Sequence, residues 1–111
     1  SASATDNINV QKRVAKAWVT FDNTGAMFEN INVSSVDDVG RGHYRVNFAV
    51  PMVDSNYCCV ATADVKSTIT NTVTAIYRKY LSDANHAEIV VSRYNNNTTD
   101  VDGDIGVVVF R

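Results

Sequence analysis

The sequence predicts an all-β domain, a single antiparallel sandwich of about seven strands, with a small barrel as the alternative closure. Three observations predict it. Valine, isoleucine and threonine supply 18, 6 and 10 of the 111 residues, against a single leucine, Leu81. Branching at Cβ stiffens χ1, which disfavours helix and suits a pleated, half-buried surface. Apolar and polar residues alternate along several short runs, and turn-forming clusters separate those runs at intervals of about 8 to 14 residues. One Pro and five Gly exclude collagen-like or flexible-linker sequence. The length suits one core and leaves no room for a second. Residues 1–13 read as a polar arm or linker, and 14–111 as the domain.

In the first strand, Val14 to Phe21, the residues Ala15, Ala17, Val19 and Phe21 share one face, and Lys16, Trp18 and Thr20 the other. Asp22-Asn23-Thr24-Gly25 supplies a turn. A second strand is expected over about Ile31–Val36, followed by a connection through Asp37-Asp38-Val39-Gly40-Arg41-Gly42. The next run has the cleanest alternation: Tyr44, Val46, Phe48 and Val50 against His43, Arg45, Asn47 and Ala49, ended by Pro51. Tyr57 to about Val65 is another strand. Thr68–Tyr80 sets Thr72, Thr74, Ile76 and Arg78 against Val73, Ala75 and Tyr77. Leu81–Asn85 turns the chain into a strand over His86–Tyr94, with Ala87, Ile89, Val91 and Arg93 facing one way. The closing run Ile105–Arg111 is apolar enough to be covered on both faces, or sealed by another subunit.

Charge and composition exclude several function classes. Ten basic against twelve acidic residues leave no basic stripe for nucleic acid, and the densest basic stretch, Lys12, Arg13 and Lys16, suffices for a local contact alone. No apolar run approaches the roughly 18–20 residues of a membrane helix. Ser1–Asn7 lacks the basic start and apolar stretch of a secretory signal. Cys58 and Cys59 are adjacent, so on a strand they point to opposite faces and read as reduced thiols, at least one of them packed.

Candidate chemistry is sparse. His43 and His86 each open an expected strand and read as surface or rim histidines, since no local signature sets a nucleophile, base and orienting group together. Asp100-Val101-Asp102-Gly103-Asp104 resembles a calcium loop. With Gly103 at the sixth position, however, Thr98 falls first and Phe110 near the distal Glu position, so the frame fails and an acidic turn is the better reading. Glycosylation sequons begin at Asn32, Asn96 and Asn97. The loop Tyr94-Asn95-Asn96-Asn97, an aromatic beside amides, is the expected recognition surface. Glu29 and Glu88 are the only glutamates, and the ten aspartates show no pairing beyond Asp37-Asp38, which argues against glycan cleavage. No cofactor or metal is expected.

The run Lys16-Ala17-Trp18-Val19-Thr20-Phe21-Asp22-Asn23-Thr24-Gly25 resembles the K-A-W-V-x-F-[N/D]-x-x-G opening of a module of tailed-bacteriophage virion proteins, tail fibres in particular. The similarity continues through Asn32-Val33-Ser34-Ser35-Val36-Asp37-Asp38, Gly40, Gly42-His43-Tyr44-Arg45-Val46-Asn47-Phe48, Pro51-Met52 and Asp54-Ser55-Asn56-Tyr57. It ends on Arg93-Tyr94-Asn95 and Val107–Arg111, and so covers about residues 16–111; the cysteine pair and the Asp100–Asp104 turn depart from it. The resemblance implies a non-enzymatic virion protein, made in bacterial cytoplasm and assembled as a homo-oligomer, a trimer, with other virion proteins. Its two expected roles are a tail-fibre tip that binds host-surface glycan and, alternatively, a small free-standing protein that decorates the capsid. Reduced cysteines suit that compartment.

Overall fold

The computed structural model describes residues 15–64, 73–93 and 103–111. It is a sandwich of two four-stranded antiparallel sheets, as the composition predicts. The strands are β1 (Ala15–Phe21), β2 (Met27–Ile31), β3 (Val33–Gly40), β4 (His43–Phe48), β5 (Cys58–Ala63), β6 (Val73–Tyr77), β7 (His86–Arg93) and β8 (Ile105–Phe110). Sheet A has the order β2-β1-β8-β5 and sheet B the order β3-β4-β7-β6. One 3-10 turn, Lys79–Leu81, lies between β6 and β7.

Strand alternation puts one set of side chains between the sheets. Ala17, Val19 and Phe21 of β1 and Ile105, Val107 and Val109 of β8 meet Tyr44, Val46 and Phe48 of β4 and Ala87, Ile89 and Val91 of β7. A Val, Ile or Phe buried to this degree contributes about 1.5–3 kcal/mol. The aromatics interlock through tilted and edge-on contacts: Phe21 with Tyr44 at 5.3 Å between centroids, and Tyr57 with Phe48 at 5.5 Å and Tyr77 at 5.6 Å. The Tyr44 and Tyr57 hydroxyls reach backbone. Tyr44 Oη donates to the Asn23 carbonyl at 2.8 Å, and Tyr57 Oη lies 3.0 and 2.9 Å from the Asp83 and His86 carbonyls.

The turns follow local chemistry. The Asp22 carboxylate accepts from the Thr24 and Ala26 amides at 2.9 and 3.0 Å, and Gly25 takes φ +90° to close the β1–β2 hairpin. Any side chain at Gly25 would meet the Val36 carbonyl oxygen at 3.0 Å. The β3–β4 hairpin closes through Arg41 and Gly42, the latter at φ +67°, with Gly40 opposite His43.

Five expectations need correction. The strand expected to reach Tyr80 ends at Tyr77, after which the backbone leaves the ladder for the 3-10 turn Lys79–Leu81. The single strand expected over Ile31–Val36 is two strands in different sheets, because Asn32 takes a left-handed φ of +57° and turns a corner. The expected connection over residues 37–42 is mostly strand, since β3 runs on to Gly40. The β4 strand ends at Phe48, so Val50 leaves the inner face and is 65% exposed. In β1 the register slips between Ala15 and Ala17, which sets Ala15 opposite Phe110 and takes it off the inward face. The closing strand is covered on one face by the core, while Val108 and Phe110 on the other are half-buried.

Candidate functional site

The outward face of sheet B carries an unusually dense polar network for a solvent-facing sheet. It follows from register. On β4 the residues between the buried Tyr44, Val46 and Phe48 are His43, Arg45 and Asn47. On β7 the residues alternating with Ala87, Ile89 and Val91 are His86, Glu88 and Val90. Pairing sets Arg45 opposite Glu88 and Asn47 opposite His86, while β3 sets Asp37 opposite Arg45 and Ser35 opposite Asn47.

Glu88 is the hub. It is only 3% exposed although it sits on the outer side of the sheet. Arg45 Nε donates to its Oε1 at 2.6 Å, and His43 Nε2 lies 2.5 Å from its Oε2. His86 Nε2 lies 3.5 Å from Oε1, and its Nδ1 lies 3.3 Å from Asp83 Oδ1. Asn47 Nδ2 extends the network by donating to Ser35 Oγ and Asp37 Oδ2, both at 3.0 Å. A buried carboxylate costs little when its oxygens meet charged or N–H partners in this way, and a great deal without them. The Glu88 hydrogen bond and charge hold the Arg45 guanidinium above its ordinary pKa, against a smaller opposing effect of desolvation. Backbone amides of Asn85 and His86 hold the Asp83 carboxyl below the usual range, against partial desolvation.

The chain segment after β6 closes one side of this network. Arg78 N donates to the Glu88 carbonyl at 2.9 Å, continuing the β6–β7 ladder by one residue. The 3-10 turn then lifts the backbone away, and Ser82 Oγ takes its place by accepting from Glu88 N at 2.9 Å. The excursion presents Tyr80 at 92% exposure, one residue before the Leu81 carbonyl that lies 3.2 Å from His86 Nε2.

The expected site residues fall as follows. His43 and His86 do open strands β4 and β7 and lie on the rim, as expected; the structure further joins both to Glu88, which the sequence reading did not foresee. The signal available was the outward set His43, Arg45 and Asn47, which needed the β4–β7 register to reveal its partners. Asp37 and Asp38 alternate along β3 and do not act together; Asp37 alone joins the network. Asn32, the first residue of a sequon, spends its amide nitrogen on the Lys16 and Val50 carbonyls at 3.3 and 3.0 Å, so a glycan there is incompatible with the folded corner. Cys58 is exposed and Cys59 packs against the core, both as free thiols; burial, and secondarily Cys58, pushes the Cys59 thiol up to about 12. The loop Tyr94–Asn97, the sequons at Asn96 and Asn97, and Asp100–Asp102 of the calcium-like segment lie outside the described residues. Among the described residues no group of three His, Cys, Asp or Glu is arranged to hold a metal.

A concavity of about 320 Å³ opens beside the Asn32 corner, with Lys16 and Arg111 near Val50, Pro51, Met52 and Val53. Arg111 is committed to Asp54 through two contacts of 2.9 and 2.7 Å.

No family model matches this sequence, and no curated protein or solved structure matches it.

Proposed function

We propose that this chain is a non-enzymatic surface module of a tailed-bacteriophage virion that attaches to host-surface glycan, in the manner of a tail-fibre tip. Two lines support the reading. One is the resemblance carried by residues 16–57 and the closing strand. The other is the outward face of sheet B, and the observation that carries it is the exposed Tyr80, one residue from the Leu81 carbonyl that meets His86, at the side of the network centred on Glu88. Sugars are recognised by an aromatic ring against their apolar face and by fixed amides, carboxylates and guanidinium groups against their hydroxyls. Arg45, Asn47, Asp37 and His43 supply those groups on rigid strands rather than on a loop, so their geometry is set before the ligand arrives.

The same geometry argues against glycan cleavage. His86 stands between Asp83 and Glu88, but Glu88 is 3% exposed and both of its oxygens are occupied, one by Arg45 and the other by His43. Such a carboxylate lies beneath its partners, away from a sugar on the surface, and is poorly placed to donate or take a proton at a glycosidic bond. Weak single sites gain from repetition, so homo-oligomeric assembly suits attachment.

The test is binding of the purified chain to a panel of bacterial surface polysaccharides. Binding to at least one, reduced tenfold or more by Tyr80→Ala and by Asn47→Ala with the fold intact by circular dichroism, is the expected result. Absence of binding across the panel, with the chain attaching instead to undecorated phage heads, would replace this reading by capsid decoration.

A further inference from the structure

The outward face of sheet A differs from that of sheet B in kind. Its register aligns Ile31, Trp18, Val108 and Val60 in one row across all four strands. Ile31 is 51% and Val60 52% exposed, and the two central residues, Trp18 and Val108, are half-buried. Phe110 lies beside the row on β8. A row of large apolar side chains on a solvent-facing sheet is a surface awaiting a cover.

The ends of the sheet carry opposite charge. Beyond the row on one side lies Glu29, two residues before Ile31, followed at the strand ends by Asp22, Asp64 and Asp104. On the other side lie Lys16, in the β1 register slip, and Arg111, which is neutralised by Asp54. Two copies facing each other through this row could be related by a two-fold axis along the strands or along the row itself. The first sets acidic end against acidic end. The second turns each row onto its own copy and lays the Glu29 end of one molecule over the Lys16 end of the other. Charge therefore selects the second.

We propose that the outer face of sheet A binds a second copy of this chain, antiparallel, about a two-fold axis along the Ile31–Trp18–Val108–Val60 row. Such a contact is isologous and closes on itself. It joins copies in pairs, so a three-fold contact of the kind the resemblance implies would have to use another face. Four strands spaced at about 4.8 Å and about 20 Å long give roughly 400 Å² of projected face per copy. That is about half the area per partner of a standard specific interface, the size of a weak, transient contact, so pairing is concentration-dependent.

Sedimentation equilibrium of the full chain, from low to high micromolar concentration, tests this. The mass should rise from 12.2 kDa towards twice that value. Glu29→Lys alone and Lys16→Glu alone should each weaken pairing at least tenfold, and the double charge reversal should restore it, all with unchanged circular dichroism. Trp18 emission should shift to the blue as pairs form. A mass that stays at the single-chain value, one that rises to three chains, or a double reversal that fails to recover pairing would each overturn the proposal.

Discussion

Asn32 holds φ at +57° while its side chain ties three strands of chain together. Its Nδ2 donates to the Val50 and Lys16 carbonyls and its Oδ1 accepts from Val50 N at 2.7 Å, while its own carbonyl accepts from Ala49 N at 3.0 Å. Asn tolerates the left-handed region better than other residues with a Cβ. Asn32→Ala removes the side-chain bonds and places an unsuited residue at positive φ, which costs about 3 kcal/mol. Asn32→Gly removes the same bonds but keeps the conformation, at about 2 kcal/mol. Urea unfolding of the two variants checks the order, and a Gly variant less stable than the Ala variant would contradict the role given to the backbone. The corner was not legible in the sequence because Ile31, Val33 and Val36 read on as strand. An Asn between two β-branched residues does not announce which of its two preferences, turn or sheet edge, the tertiary structure will use.

At the scale of elements, the inward faces of β4 and β7 were legible, because Tyr44, Val46 and Phe48, and Ala87, Ile89 and Val91, repeat with the two-residue period that sets a strand face. The partner of each outward residue was not, since register is a property of two strands and one sequence run states only its own period. Arg45 opposite Glu88 is therefore a finding of the structure. The network clamps β4 to β7 from outside as the core does from inside. Glu88→Ala strips Arg45 and His43 of their shared acceptor and should cost about 2–3 kcal/mol, less than a fully interior pair because Arg45 and His43 keep access to water. Glu88→Gln keeps the shape and one acceptor oxygen and should cost about half as much. Thermal or urea unfolding decides; if Glu88→Ala fell within about 0.5 kcal/mol of the parent, the usual range of an unremarkable surface change, the clamp would contribute nothing to stability.

The whole molecule is closed by burial that also fixes its response to pH. Burial pushes the Cys59 thiol up to about 12, with the neighbouring Cys58 adding to the effect. Burial, and then contact with Tyr77, pushes the Tyr57 hydroxyl well above the ordinary phenol range. In both cases the folded state holds its proton more tightly than the unfolded chain does. The stability they provide is thus complete below the ordinary thiol and phenol values and drains away as pH rises through them. For Cys59 alone the interval from 9.0 to about 12 corresponds to at most about 4 kcal/mol. Asp54 and Asp83 act at the other end, where hydrogen bonds from Arg111 and from the Asn85 amide, respectively, lower their pKa. Stability from these carboxylates is present above the ordinary carboxylate range and is lost as pH falls below it. Their exposure makes that acid limb shallow. The urea midpoint should accordingly fall gently in acid and steeply above about pH 9. Cys59→Ala gives up some packing but removes the thiol's share, so its midpoint should stay level until pH passes the ordinary phenol value of about 10, above which the raised Tyr57 hydroxyl favours the unfolded chain. An unchanged alkaline limb in that variant would mean that Cys59 is not sealed by the Val109 strand and that the sandwich edge opens to water there.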